Sequence, residues 1–146
     1  MSNITFDTFD AEIAAGMLNS AQAAGGLTSY LQFRHLELTA GRLVAEFDAR
    51  DELKTPFGNL HGGCLSAFVD HCLGTVFYPV IARGAWVATT EFKLNLTRPV
   101  SDGKVTAVTD IIALGGRTGV ASIRISNNDK LVCAAQGTVS IIKPKA

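Results

Sequence analysis

Residues 61–81 read HGGCLSAFVDHCLGTVFYPVI, and the rest of the chain is arranged around this stretch. Apolar side chains fall on every face of a helix drawn through it: Leu65, Ala67, Phe68, Val69, Leu73, Val76 and Phe77. A helix that is apolar all round has to be wrapped by protein on all sides. Pro56 and Gly58 put a loop before it. Pro79 and Gly84 mark its end, with Pro79 tolerated as a kink in the last turn. One carboxylate, Asp70, stands in the middle, and no Lys or Arg occurs between Lys54 and Arg83 to pair with it locally. Burying an unpaired charge costs several kcal/mol. Asp70 therefore lies on an exposed seam, pairs with a distant Arg, or does chemistry.

Working outward, Asp10 caps a first helix over about residues 8–24, with Ile13, Met17, Leu18 and Ala21 as its apolar stripe and Gly25-Gly26 as its stop. From Tyr30 the period changes towards two. Leu36 and Leu38, then Leu43, Ala45 and Phe47, predict two strands around a turn at Ala40-Gly41. After Gly84 the chain is nearly all strand. Trp86, Ala88, Thr90, Phe92, Leu94 and Leu96 share one parity; Thr89, Glu91, Lys93 and Asn95 share the other, so Glu91 is expected on the same face as Thr89. Val105–Leu114, Thr118–Ser126 and Leu131–Ile142 then read as a meander, with turns at Gly115-Gly116 and Asn127-Asn128-Asp129. An α+β fold follows, with an antiparallel sheet wrapped around one long helix in a single domain over residues 1–146.

Composition narrows the function classes. Thirteen basic and thirteen acidic side chains cancel, and the longest basic cluster, Lys143-Pro144-Lys145, is too thin to serve a nucleic acid. Apolar residues make up 47% before the 14 glycines are counted. One small domain has trouble hiding that much, so part of the surface is expected to be buried against further copies of the chain. A membrane span is not expected, because Asp70, His71 and Pro79 interrupt the most apolar stretch. The N-terminus carries Asp7, Asp10 and Glu12 where a signal peptide would carry basic residues. Cys64, Cys72 and Cys133 have no metal-ligand spacing. A cytoplasmic protein without metal, membrane or nucleic-acid partner is expected.

His61-Gly62-Gly63 opens the central helix. The first N–H groups of a helix have no internal partner and carry the positive end of its dipole. Two glycines let a substrate oxygen approach those donors, which is the geometry for stabilising an oxyanion. The same turn also reads as a plain loop-to-helix junction capped by Asn59. Gly62 and Asp70 lie eight residues apart, about 12 Å along one helix. One helix cannot bring both to one small carbonyl, whereas an antiparallel second copy can. The chemistry therefore calls for a two-fold dimer with two equivalent sites.

His-Gly-Gly, six residues, then Asp70 in an apolar helix, followed by Thr89-Thr-Glu-Phe-Lys-Leu-Asn-Leu-Thr-Arg-Pro99, resembles the hotdog-fold acyl-CoA thioesterases, the group of the phenylacetate-pathway enzyme and human thioesterase-superfamily member 2. The likeness runs over about residues 30–142. It implies a hotdog fold and hydrolysis of an acyl-CoA, coenzyme A being part of the substrate and no separate cofactor being required. It also implies a dimer or a dimer of dimers. Asp70 becomes the nucleophile or general base and the Gly62 N–H the oxyanion donor. His61 orients that end of the site, and Thr89 positions Asp70 or the water. Relatives commonly carry Asn or Gln six residues before the His, where this chain has Thr55, so Thr55, Asn59 and Gly63 are candidate substrate contacts. Arg117 and Thr118 fall at a loop that often meets coenzyme A. Two other readings belong beside this one: a non-catalytic acyl-CoA binding module, and a hotdog dehydratase or hydratase.

Overall fold

The computed structural model describes residues 4–20 and 25–145. Its elements in chain order are helices α1 (Ala11–Ser20) and α2 (Gly26–Leu31), strands β1 (Arg34–Thr39) and β2 (Arg42–Asp48), helix α3 (Gly62–Thr75), then strands β3 (Trp86–Leu96), β4 (Lys104–Leu114), β5 (Thr118–Asn127) and β6 (Lys130–Ile142). Short 3-10 turns occupy Asp51–Leu53 and Tyr78–Val80. α3 therefore stops before Ile81. Pro79 cannot donate a helical hydrogen bond and its ring would meet the carbonyl one turn back, so the chain tightens into the 3-10 turn instead.

The strands form one antiparallel sheet in the order β1-β2-β4-β5-β6-β3. It wraps around α3, the hotdog arrangement that the resemblance implies. Leu65, Phe68, Val69, Cys72 and Leu73 of α3 are buried against it, and Phe33, Phe47 and Phe68 pack with ring centroids 4.8–5.4 Å apart. Two glycines let the helix settle onto the sheet. A Cβ on Gly119 would overlap the Phe77 ring, and one on Gly137 would stand 2.8 Å from the Glu91 carbonyl oxygen.

Asp10 does cap α1, its Oδ1 accepting from the N–H groups of Glu12 and Ile13 at 3.1 Å each. Ala21 and the expected end of that helix lie outside the described residues. Gly25-Gly26 does more than stop a helix. Both glycines have positive φ and the second begins α2, six residues that are too short to show a helical period. Leu36 sits in a bulge of β1 and is exposed, whereas Leu38 is buried. Among the described residues no helix is long and apolar enough to cross a membrane.

The position of β3 decides the shape of the site. It follows α3 in the chain yet pairs with β6, the last strand, so its other edge is unpaired. Trp86 and Leu96, at its two ends, are each about half exposed.

Candidate active site

The start of α3 is pinned from both sides. The Leu60 N–H donates to the Val100 carbonyl at 2.7 Å, and the His61 N–H to the Leu53 carbonyl at 2.9 Å. Before it, residues 55–59 close a tight turn. The Thr55 N–H donates to the Asn59 carbonyl at 2.7 Å, the Gly58 N–H to the Thr55 carbonyl at 3.0 Å, and the Phe57 N–H to Thr55 Oγ1 at 3.3 Å. Thr55 is thus a turn-forming residue whose hydroxyl proton is left over. Phe57 is held at the tip of this turn, 90% exposed.

The cap of α3 is His61, not Asn59 as the sequence suggested. His61 Nδ1 accepts from the Gly63 N–H at 2.8 Å. A ring nitrogen that accepts carries no proton, so the His61 proton sits on Nε2. Gly63 has to lack a side chain for this, because a Cβ there would lie 2.9 Å from Nδ1. The arrangement separates the two glycines. The Gly63 donor is satisfied inside the chain, while the Gly62 N–H, at the positive end of a 14-residue helix, donates to nothing among the described residues.

Asp70 lies on the exposed side of α3, with no ion pair or hydrogen bond to the described residues. Gly63, Ala67 and Gly74 fall on the same stripe, three or four residues apart, which leaves that side of the helix low and open. A Cβ on Gly62 would meet Leu96, and one on Gly74 would meet Val87, so α3 and β3 run in opposite directions.

Thr89 corrects the parity expected from the sequence. A bulge at Thr90 shifts the register, so that Thr89 faces Val139 and Phe92 faces Gly137, both on the helix side of the sheet. Bulges re-aim side chains in this way. Thr89 therefore shares a face with Val87 and opposes Glu91, which lines a shallow depression on the outer surface with Lys93 and Gln136. From the Gly74–Val87 contact, Asp70 is one turn back, about 6 Å, and Thr89 two strand residues on, about 7 Å, in the same direction. The two come to one level on the open side. Thr90, pushed outward, hydrogen-bonds Ser140.

Arg117 and Thr118 are not brought to this place within one chain. Thr118 starts β5 and Arg117 precedes it, beside Gly119, whose neighbour is Phe77 beyond the C-terminal end of α3. Gly62 is at the other end, about 20 Å along the axis. Both side chains are solvent-exposed.

Two features had no sequence signal. His71 follows Asp70 in α3, and its Nε2 lies 2.7 Å from Nε2 of His35, whose Nδ1 lies 2.8 Å from the Met17 carbonyl. The carbonyl can only accept, so His35 is protonated at Nδ1 and takes its second hydrogen bond from His71 Nε2–H. Burial, and secondarily His35, push the His71 pKa down to about 4. The other feature is a cavity beside the start of α3, walled by α2. Burial raises the pKa of the Cys64, Cys72 and Cys133 thiols alike. No three metal-ligating side chains converge among the described residues.

Comparison with known proteins follows the same outline. Residues 57–134 match the family model of the thioesterase superfamily. A 1,4-dihydroxy-2-naphthoyl-CoA hydrolase of Listeria monocytogenes is 26% identical over 121 residues, covering 82% of this chain and 98% of that protein. A putative esterase of Pseudomonas aeruginosa is 33% identical over 103 residues, 68% of this chain and 70% of that one. Among solved structures, a Staphylococcus aureus thioesterase is 29% identical and superposes with a TM-score of 0.77, over 80–81% of this chain and 98% of its own. It was solved in two variants, one with a glutamine and one with a glutamate replaced by alanine, fifteen positions apart. Thr55 and Asp70 have that same separation.

Proposed function

Since the chain belongs to the thioesterase superfamily, we propose that it hydrolyses an acyl-CoA thioester to the free acid and coenzyme A, in sites shared between two copies of itself. The observation that carries this reading is the unsatisfied Gly62 N–H at the head of α3. A donor fixed at the positive end of a helix stabilises the charge that develops on a thioester carbonyl oxygen, without reorganising during the reaction. His61 acts indirectly, by taking the neighbouring Gly63 N–H and fixing the turn. The leftover Thr55 hydroxyl proton is the second donor, in the place of the Asn or Gln common among relatives, with Asn59 in reach of the same turn.

The carboxylate comes from the second copy. The open edge of β3 and the low stripe along α3 suit an antiparallel two-fold contact, which carries the partner subunit's Asp70 towards Gly62. Thr89, level with Asp70, holds the carboxylate or the water. The same contact moves the Arg117 and Thr118 end of the partner subunit towards the Gly62 end of the first, where they meet coenzyme A. Asp70 either attacks the carbonyl carbon, expelling the coenzyme A thiolate and leaving an anhydride for water to cleave, or takes a proton from the attacking water. Single-turnover hydrolysis in oxygen-18 water separates these: label in the Asp70 carboxylate marks direct attack.

Replacing Asp70 by Asn tests the reading. Coenzyme A release falls at least about a hundredfold, while the oligomeric mass stays that of the unaltered chain. Activity close to that of the unaltered chain would sink the assignment. Binding across a panel of acyl-CoAs without any release would favour the non-catalytic module instead.

A further inference from the structure

The cavity beside the start of α3 is an open cleft with a volume of about 360 Å³, within the range of small-molecule sites. Its walls come from three elements: Leu27, Tyr30 and Leu31 of α2, Leu53 of the turn before the helix, and Cys64 and Ala67 of α3. His61 and Gly63, the residues on either side of Gly62 in the chain, also border it. Leu27 and Tyr30 are three residues apart on one side of α2. They are 61% and 60% exposed, an apolar wall with little packed against it. Opposite them α3 presents only a glycine, a small thiol and a methyl group.

The wall is held in place. Arg50 donates to the Tyr30 carbonyl at 2.7 Å and the Leu31 carbonyl at 3.3 Å, satisfying the end of α2, and its Nε pairs with Glu52 at 2.7 Å. The cation on the rim, Lys54, is paired with Asp51 at 2.7 Å. Both charged residues lining the cavity, Glu52 and Lys54, thus already have an opposite charge beside them, and an entering carboxylate would compete with Asp51 for Lys54.

We propose that this cavity holds the acyl group of the substrate and selects a bulky, uncharged, apolar acyl group over a carboxylated one. The inference rests on the hydrolase reading for its thioester but on the cavity for its selectivity. With the carbonyl oxygen at the Gly62 N–H, the acyl body lies along Gly63 and Ala67 and against Tyr30 and Leu27. A carboxylate at its far end would lose its water and gain only a cation that it has to share with Asp51.

Calorimetric titration of the Asp70→Asn chain with octanoyl-, phenylacetyl- and succinyl-CoA reads the cavity without turnover. The first two are expected to bind at least about tenfold more tightly than the third. Ala67→Leu, which fills the cavity, and Tyr30→Ala, which removes its exposed wall, are each expected to shrink that preference several-fold. Tyr30 is exposed, so the second variant tests the point even if the first folds poorly. Equal affinity for the three ligands overturns the proposal, as does a preference unchanged in both variants. So does a loss of oligomeric mass in Tyr30→Ala with equal weakening of all three, which would make the wall a contact between copies. If the preference is present but the unaltered chain releases no coenzyme A, the hydrolase reading fails and the cavity assignment stands.

Discussion

At the scale of the residue, the turn into α3 divides labour between two glycines that look equivalent on paper. Gly63 is needed for the space beside His61 Nδ1, whereas a side chain on Gly62 would press on Leu96, and its N–H is the one the proposed reaction uses. Gly63→Ala puts a methyl group against the imidazole and breaks the cap. It should cost about 1 kcal/mol of stability, read as a lower urea midpoint at pH 7.5, and a midpoint equal to that of the unaltered chain would contradict the cap. That His-Gly-Gly opens a helix is legible in the sequence, because glycines after a loop and before an apolar run leave few alternatives. Which side chain caps the helix is not: Asn59 and His61 are both capable acceptors, and only the path of residues 55–61 decides between them.

At the scale of the element, α3 lies on the sheet because the sheet has no side chain where the helix is thickest. Gly137 faces Leu73 and the Glu91 carbonyl, a backbone atom that cannot swing aside. Gly137→Ala is therefore expected to destabilise the fold by about 1–3 kcal/mol, measured by chemical denaturation; a change near zero would show that β3 can yield. The His35–His71 pair ties α1, through the Met17 carbonyl, to α3. Burial lowers the pKa of both rings, His71 to about 4. The unfolded chain takes up protons at about pH 6.5, before the folded chain does, so this contribution is intact above that pH and is lost as the pH falls towards 4. Each proton involved makes stability fall by about 1.4 kcal/mol per pH unit in that window. His71→Gln should flatten the decline between pH 6.5 and 4.5, and an unchanged slope would remove the pair from the explanation. The two histidines are 36 residues apart, and no local pattern announces their meeting.

At the scale of the whole molecule, the proposed chemistry is a property of two chains. Mixed oligomers test this directly. Asp70→Asn and Gly62→Leu should each be inactive alone. Unfolded together and refolded, half of the dimers are mixed, and each mixed dimer has one site with both parts intact, so about a quarter of the original activity returns. No recovery despite mixed dimers detected by mass would place Gly62 and Asp70 of one chain in the same site. The apolar surplus of the composition is the surface that such an assembly would bury. The proposed face is that of β3, the edge strand whose end residues Trp86 and Leu96 are half exposed.

The amino-acid sequence by itself determined the order of the six strands and the two longer helices, the central helix with its lone carboxylate, and the glycine turn that opens it, because helical and strand periods and turn residues act over a few neighbours. Only the tertiary structure decided what depends on distant partners. Pairing with β6 sets the bulge at Thr90, and that bulge turns Thr89 from the outer face to the helix side of the sheet. The six residues of α2 acquire a role by being placed against α3. Hydrogen-bond register and the walls of a cavity are set between segments far apart in the chain, and a period read along one segment carries no information about its neighbour across the sheet.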